Sequence, residues 1–196
     1  MTRPNDAKSD ARAATSAATV PVEVLLALAI RHVNAGQPER ARVLCDQAVA
    51  SHAAHPAVQQ LLAVLSLQSG DAASACNHAE ASLALRPGHA PTIAIAGDAW
   101  FQRSLALHDQ HDLTGAADAL HRVLQRNPSR AEAEVNLGIV LQEAGRIDDA
   151  MLAYGRAYRL RTETFGRIAH ALANASAGRL WLDLDALRSA LGRAAA

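Results

Sequence analysis

The amino-acid sequence repeats itself at a spacing of 34 residues. In the first half the pairs are Gly36 and Gly70, Leu28 and Leu62, Ala29 and Ala63, and Ala41 and Ala75. In the second half they are Ala116 and Ala150, Leu120 and Tyr154, and Val123 and Ala157. A period of this length is typical of helix-turn-helix pairs, each of which buries its apolar face only against its neighbours. The spacing therefore predicts an all-α array of such pairs.

One interval in the middle of the chain is longer than the others. Ala75 and Ala116 are 41 residues apart, as are Pro87 and Pro128, which leaves seven extra residues. They fall between Gly97 and the turn near residue 111. Seven residues make almost two helical turns, and residues 98–108 contain neither Pro nor Gly, so we expect a lengthened first helix in the third unit. Its candidate anchors for a partner are Phe101, Leu105 and Leu107.

Small residues recur at fixed places in the repeat. On the predicted first helices they are Ala29, Ala63, Gly97 and Gly138, and on the second helices they are Ala41, Ala75, Ala116 and Ala150. Helices that cross closely leave no room for larger side chains, so we expect close crossings at these places. Half of the residues are apolar but only 3% are aromatic, which suits thin helices in close contact.

The repeat units resemble the tetratricopeptide repeat family. The fourth unit carries the resemblance best, through Leu137-Gly138, Gly145, Ala150, Tyr154 and Ala157. The resemblance covers about residues 21–164. It implies a right-handed superhelical stack of four units at about residues 22–55, 56–89, 90–130 and 131–164.

Both ends of the chain lie outside these four units. Residues 1–20 have no apolar run and are expected to form a disordered tail rather than a signal peptide. Residues 165–196 are expected to form helices that cap the stack, with Thr164 and Asp183 as helix caps and Trp181 as a plug. The last helix would carry Leu184, Leu187 and Leu191 on one face. A docking motif for a partner is the alternative use of this segment.

Charge and cysteine content exclude several classes of partner. The 19 basic and 19 acidic residues cancel, so no net field attracts nucleic acid or an anionic membrane. No apolar stretch is long enough to span a membrane. Cys45 and Cys76 are too few for a disulfide framework, and we expect them to be small buried hydrophobes in a reducing cytoplasm.

No sequence motif indicates catalysis. A phosphate-binding glycine loop, a nucleophile elbow and a fixed metal-ligand signature are all missing from the sequence, so we expect a protein that is not an enzyme and uses no cofactor. The densest polar group is His108 and His111, three apart on a predicted helix, beside Asp109, Asp112 and His121. We expect surface histidines there, and a metal site is the alternative.

The family resemblance implies a concave partner-binding groove that is lined by the first helix of each unit. The matching positions are Leu26, Ile30, Val33, Gln60, Val64, Leu67, Gln68, Ala94, Asp98, Phe101, Gln102, Val135, Asn136, Ile139 and Gln142. Of the Lys, Arg and Asn residues with which some members clamp a terminal carboxylate, only Asn136 is present. The apolar lining favours an amphipathic helix or a hydrophobic peptide of another protein. Alternatively, the same side chains pack against one another in a tight superhelix.

Three functions are open at this point. The first is a cytoplasmic protein-interaction module, an adaptor or chaperone-like protein. The second is an assembly or regulatory subunit that self-associates through the apolar end face and Trp181. The third is an accessory protein to an enzyme encoded elsewhere, because the chain is too short to hold a catalytic domain besides the array.

Overall fold

The structure, a computed structural model, describes residues 20–51, 54–174 and 183–194. Every regular element within these ranges is helical, which confirms the predicted all-α fold class. The helices are α1 Val22–Asn34, α2 Pro38–Ser51, α3 Pro56–Gln68, α4 Ala72–Leu85, α5 Ala90–Asp109, α6 Leu113–Arg126, α7 Ala131–Glu143, α8 Ile147–Leu160, α9 Phe165–Ala173 and α10 Leu184–Arg193, with a short 3₁₀ helix at Thr162–Thr164. Most of the predicted N-terminal tail and the predicted plug Trp181 lie outside the described residues.

The chain divides into two compact units, residues 1–53 and 54–196. In the first unit α1 packs against α2, and the buried residues include Leu25 and Ala29 of α1 and Ala41 and Cys45 of α2. Their buried side chains recur at helical spacing, so each helix turns one apolar face inward.

The second unit contains three helical pairs in series. The pairs are α3 with α4, α5 with α6 and α7 with α8, and α4 packs on α5 as α6 packs on α7. The largest core cluster is built by α6, α7 and α8 and includes Leu120, Leu137 and Tyr154. This is the helix-turn-helix stacking that the 34-residue spacing predicts.

The turns within three of the four pairs are made by glycine in a left-handed backbone conformation. Gly36, Gly70 and Gly145 have φ angles of 69°, 79° and 76°, as expected for residues that end a helix without a Cβ clash. His111 takes the equivalent place in the third pair with a φ angle of 58°. The prediction that His111 lies on a helix is therefore wrong, because α5 ends at Asp109.

We expect His111→Gly to raise the free energy of unfolding by about 1 kcal/mol, because a non-glycine residue in this conformation is strained. The matched reverse substitution is Gly145→His, where an added Cβ would meet nothing within 4 Å, so its cost is conformational alone. It should lower stability by about the same amount. Urea unfolding followed by circular dichroism measures both, and a His111→Gly protein no more stable than the parent would contradict the expectation.

Helix α5 contains 20 residues, whereas α3 and α7 contain 13 each. The prediction that the seven extra residues lengthen this helix is confirmed. The first half of α5 packs on the preceding pair, where Ala96 contacts the cluster of Ala63 and Ala79. Ala99 packs in the same way with Ala75 and its neighbours. The second half of α5 faces α6 and α7.

This division of α5 corrects the expectation of a close helix crossing at Gly97. A Cβ added at Gly97 would meet nothing within 4 Å, whereas one added at Gly138 would overlap the ring of Tyr154. The residue 34 positions before Gly138 is Ser104, which is buried and lines the same cleft as Leu120, the residue 34 positions before Tyr154. The insertion therefore moves the close position of the third pair from Gly97 to Ser104.

The C-terminal helices cover the end of the array. Leu187 and Leu191 of α10 join the core cluster formed with α8, and a Cβ added at Gly155 of α8 would lie 2.9 Å from the carbonyl oxygen of Leu191. Gly155 thus permits the close approach of α10. Leu184, which the spacing predicts on the same face, is 51% exposed, so only Leu187 and Leu191 are buried.

Of the two residues predicted to cap helices, Asp183 does so and Thr164 does not. The Asp183 carboxylate accepts hydrogen bonds from the backbone N–H groups of Asp185 at 2.8 Å and Ala186 at 3.3 Å, which confirms it as the N-cap of α10. Thr164 makes no side-chain cap. Its hydroxyl donates instead to the carbonyl oxygen of Arg161 at 2.7 Å, because residues 162–164 form a 3₁₀ turn.

Candidate functional site

A narrow apolar cleft of about 60 Å³ lies between α5 and α7. Its lining residues are Ser104, Leu105, His108, Leu120, Asn136, Ile139 and Val140. Leu120 comes from α6 and is fully buried. The volume corresponds to a small aliphatic group, and the hydroxyl, amide and imidazole groups stand among otherwise apolar side chains.

The α5 side of the cleft follows from helical spacing. Phe101, Leu105 and His108 are separated by four and three residues and so share one face of the helix. Ser104 donates its hydroxyl to the carbonyl oxygen of Phe101 at 2.6 Å, so this buried group is satisfied within its own helix. Leu105 is 41% exposed at the cleft. An exposed leucine beside an apolar cleft is available to a partner.

Two polar contacts tie α5 to the α7 segment at opposite ends of the cleft. Arg130 lies 2.9 Å from the carboxylate of Asp98, and its guanidinium stacks 4.2 Å from the centroid of the Phe101 ring. At the other end His108 Nε2 lies 2.8 Å from the carboxylate of Glu143. Exposed contacts of this kind contribute less than about 1 kcal/mol each to stability. Their main effect is to fix the separation of the two helices.

The side of α7 that faces α9 is occupied by contacts within the protein. Arg167 of α9 donates to the Asn136 Oδ1 atom at 3.1 Å. Gln142 is buried, donates to the Ala171 carbonyl oxygen at 3.1 Å and accepts from the Tyr154 hydroxyl at 3.1 Å. Burial also raises the pKa of Tyr154 above its ordinary value. The Gln142 amide thus holds α7, α8 and α9 together and is not open to a ligand.

The other predicted groove residues are spread along the first helices. In α3, Gln60, Val64 and Leu67 are half-buried, and Leu67 packs on the cluster of Ala75, Cys76 and Ala99. Gln102 of α5 is exposed. In the first unit, Leu26 and Val33 are half-buried, and Ile30 is 44% exposed.

The structure brings two of the predicted residues, Asn136 and Ile139, together with the predicted anchor Leu105 in one cleft. Asp98 and Phe101 stand at its end. The wider groove assignment stays a prediction. The groove positions of the family do not include Ser104 and His108. Ser104 lies 34 residues before Gly138, so counting the repeat spacing backward from the fourth pair leads to this surface.

Cys45 and Cys76 are both buried free thiols. Burial raises the pKa of the Cys45 thiol and of the Cys76 thiol to about 11, which keeps both protonated and unreactive. In the described part of the chain, no three His, Cys, Asp or Glu side chains come together as metal ligands would. Among the helices described, none has both the length and the apolar character needed to cross a membrane.

Comparison with known proteins points to one family. The family model for the tetratricopeptide repeat matches residues 107–175. The curated tetratricopeptide repeat protein 8 of Caenorhabditis elegans is 36% identical over 70 residues. That match covers 36% of this chain and 14% of the relative, so the chain spans about a seventh of the length of the curated protein it matches.

Solved structures share the fold. YrrB, described as a TPR protein with an unusual peptide-binding site, aligns with a TM-score of 0.60 and 15% identity over 88% of this chain and 87% of that one. A double mutant of MamA from RS-1 aligns with a TM-score of 0.58 and 16% identity over 88% and 92%. The predicted resemblance to the tetratricopeptide repeat family is therefore confirmed, by sequence for residues 107–175 and by fold for the larger part of the chain.

Proposed function

We propose that this chain is a non-enzymatic protein-interaction module, adaptor or chaperone-like, which binds an apolar segment of another protein. The segment is a hydrophobic peptide or one face of an amphipathic helix, and it docks over the cleft between α5 and α7. The observation that carries this proposal is the half-exposed Leu105 beside the apolar cleft that contains Ile139. The fold supports the proposal, because repeat arrays of this kind present extended binding surfaces.

The cleft can bury an apolar side chain of such a segment and can orient the segment through polar contacts. Burying one aliphatic side chain contributes roughly 1.5–3 kcal/mol, and the cleft of about 60 Å³ accommodates one. Arg167 and Glu143 already hold Asn136 Oδ1 and His108 Nε2, so the Asn136 amide nitrogen and the His108 Nδ1 atom are the groups we expect to meet the backbone of an extended ligand. YrrB, which shares the fold, has a peptide-binding site, and this makes a peptide ligand reasonable here as well.

The same proposal includes the remaining attributes of the protein. We propose that it uses no cofactor and binds no nucleic acid, since its 19 basic and 19 acidic residues balance. We also place it in the cytoplasm, because two buried thiols, Cys45 and Cys76, suit a reducing compartment.

Peptides selected from a random library against the parent protein provide the test. Leu105→Glu should weaken their binding by roughly tenfold or more, because the bound segment would bury an unpaired carboxylate. Leu152→Glu is the matched control, because Leu152 is also 41% exposed but lies on α8 outside the cleft. Isothermal titration calorimetry measures both affinities, and circular dichroism checks that both variants remain helical.

A second variant separates binding from packing. Val64→Glu combined with Ile139→Glu should abolish binding while helicity is kept, if both side chains contact the ligand. Unchanged affinity in this double variant and in Leu105→Glu would place the site elsewhere. Loss of folding in the double variant, with binding kept in Leu105→Glu, would show that these side chains serve the packing of the array.

A further inference from the structure

The first helix of the first unit leaves one apolar face uncovered. Leu25 and Ala29 of α1 are buried, whereas Val20, Val24 and Leu28 are 46%, 47% and 37% exposed. Val24 and Leu28 are spaced by four residues and lie along one side of α1, whereas Val20 lies just before the helix, which begins at Val22. Stripes of this kind on a protein surface mark interaction sites more often than single exposed residues do.

The charges on this face have a self-complementary arrangement. Ala27 is exposed, Glu23 stands four residues before it, and Arg31 stands four residues after it. Both charged side chains are exposed, and neither has an ion pair with another residue of the described ranges. A helix with acid at one end, base at the other and a small residue midway matches a reversed copy of itself.

We infer that a second copy of this chain packs antiparallel on α1, about a two-fold axis that passes next to Ala27. Glu23 of each copy then faces Arg31 of the other, so both ion pairs form at once, as isologous symmetry requires. The small side chain of Ala27 lets the helix axes approach closely at the crossing. Val24 and Leu28 supply the apolar contact, and the opposed helix dipoles add to it.

One helix face is small for a protein interface, so we expect the dimer to be weak and to form only at high protein concentration. Its occupant is a second copy because the charge pattern matches its own reverse. This inference is independent of the proposed peptide-binding cleft, because α1 lies in the first unit and the cleft residues lie in the second.

Charge reversal tests the pairing. Sedimentation equilibrium of the full chain should show a monomer–dimer equilibrium, and Glu23→Arg or Arg31→Glu alone should weaken it by roughly tenfold, because each puts like charges opposite. A mixture of the two single variants should form a heterodimer, and the variant with both changes should regain the homodimer. A parent protein that stays monomeric at every concentration would overturn the inference, and so would failure of either rescue.

Cross-linking gives a second, geometric test. Ala27→Cys should form a disulfide between copies under mild oxidation, because the axis places each residue 27 next to its counterpart. Cys45 and Cys76 are buried with pKa values raised to about 11, so they do not compete. Ala84→Cys on the exposed side of α4 is the control and should not cross-link. Equal cross-linking of the two variants, or hydrogen-exchange protection of α1 in a monomer, would contradict the pairing.

Discussion

Gly138→Ala should destabilise the protein by about 2–3 kcal/mol, whereas Gly97→Ala should leave it unchanged or stabilise it by up to about 1 kcal/mol. The two glycines have equivalent places in the sequence repeat and both lie inside helices. An added Cβ overlaps the Tyr154 ring at Gly138 but meets nothing within 4 Å at Gly97. At Gly97 only the better helix propensity of alanine remains.

Tyr154 cannot move aside at low cost. It is fully buried, and its hydroxyl donates to Gln142 Oε1 at 3.1 Å, so displacing the ring would break a buried hydrogen bond. In the third pair, the residues 34 positions before Gly138 and Tyr154 are Ser104 and Leu120, which line one cleft. Gly138→Ala should therefore lower the free energy of unfolding less in a Tyr154→Leu protein than it does in the parent protein.

Urea unfolding of the four variants, followed by far-ultraviolet circular dichroism, measures these differences. Equal effects of alanine at positions 97 and 138 would mean that the two glycines are packed equally closely. The insertion would then not have moved the close position of the third pair from Gly97 to Ser104. A Gly138→Ala protein as stable as the parent would contradict the close contact between α7 and Tyr154.

Deletion of residues 102–108 should remove peptide binding and leave a folded array. The deletion takes away Leu105 and His108, which line the cleft, and restores the 34-residue spacing. Gly97 then occupies the place that Ser104 has now, seven residues later, so a small residue again faces α6. Binding of the selected peptides should fall by roughly a hundredfold, because the apolar contact and one wall of the cleft are lost together.

The matched control is deletion of residues 136–142 from α7, which also removes seven residues. That helix has only 13 residues and no surplus turn, so this deletion should prevent cooperative folding. Thermal unfolding and calorimetric titration distinguish the two proteins. A 102–108 deletion that unfolds, or that binds peptides as well as the parent, would show that the lengthened helix is not a separate recognition element.

The repeat spacing was sufficient to predict the helical pairs and the lengthened α5, because both depend on local periodicity. It could not show which residue of α5 faces α6. Gly97 and Gly138 keep matching sequence neighbours, yet the insertion between them changes the helix that each one contacts. Tertiary packing decides which residues of a helix contact each of its two neighbouring helices. In one sequence this is visible only when the 34-residue spacing is counted backward from the following unit as well as forward from the preceding one.

The C-terminal segment illustrates the same limit. Periodicity placed Leu184, Leu187 and Leu191 on one face, but α10 contacts α8 through Leu187 and Leu191 and leaves Leu184 exposed. Family position places Gln142 in the groove, but its amide is used internally because α9 packs beside α7. A pattern of apolar positions shows which side of a helix is buried. It does not show where the neighbouring helix ends.

The central claim, that the cleft between α5 and α7 binds an apolar peptide, is tested most directly by methyl nuclear magnetic resonance. Isotope-labelled protein would be titrated with a peptide selected from the random library. We expect the methyl signals of Leu105 and Ile139 to shift with saturation and to show contacts with an aliphatic side chain of the peptide, while Leu152, equally exposed on α8, stays unchanged. Shifts confined to Leu152 or to α1, with Leu105 and Ile139 unaffected by a bound peptide, would contradict the account.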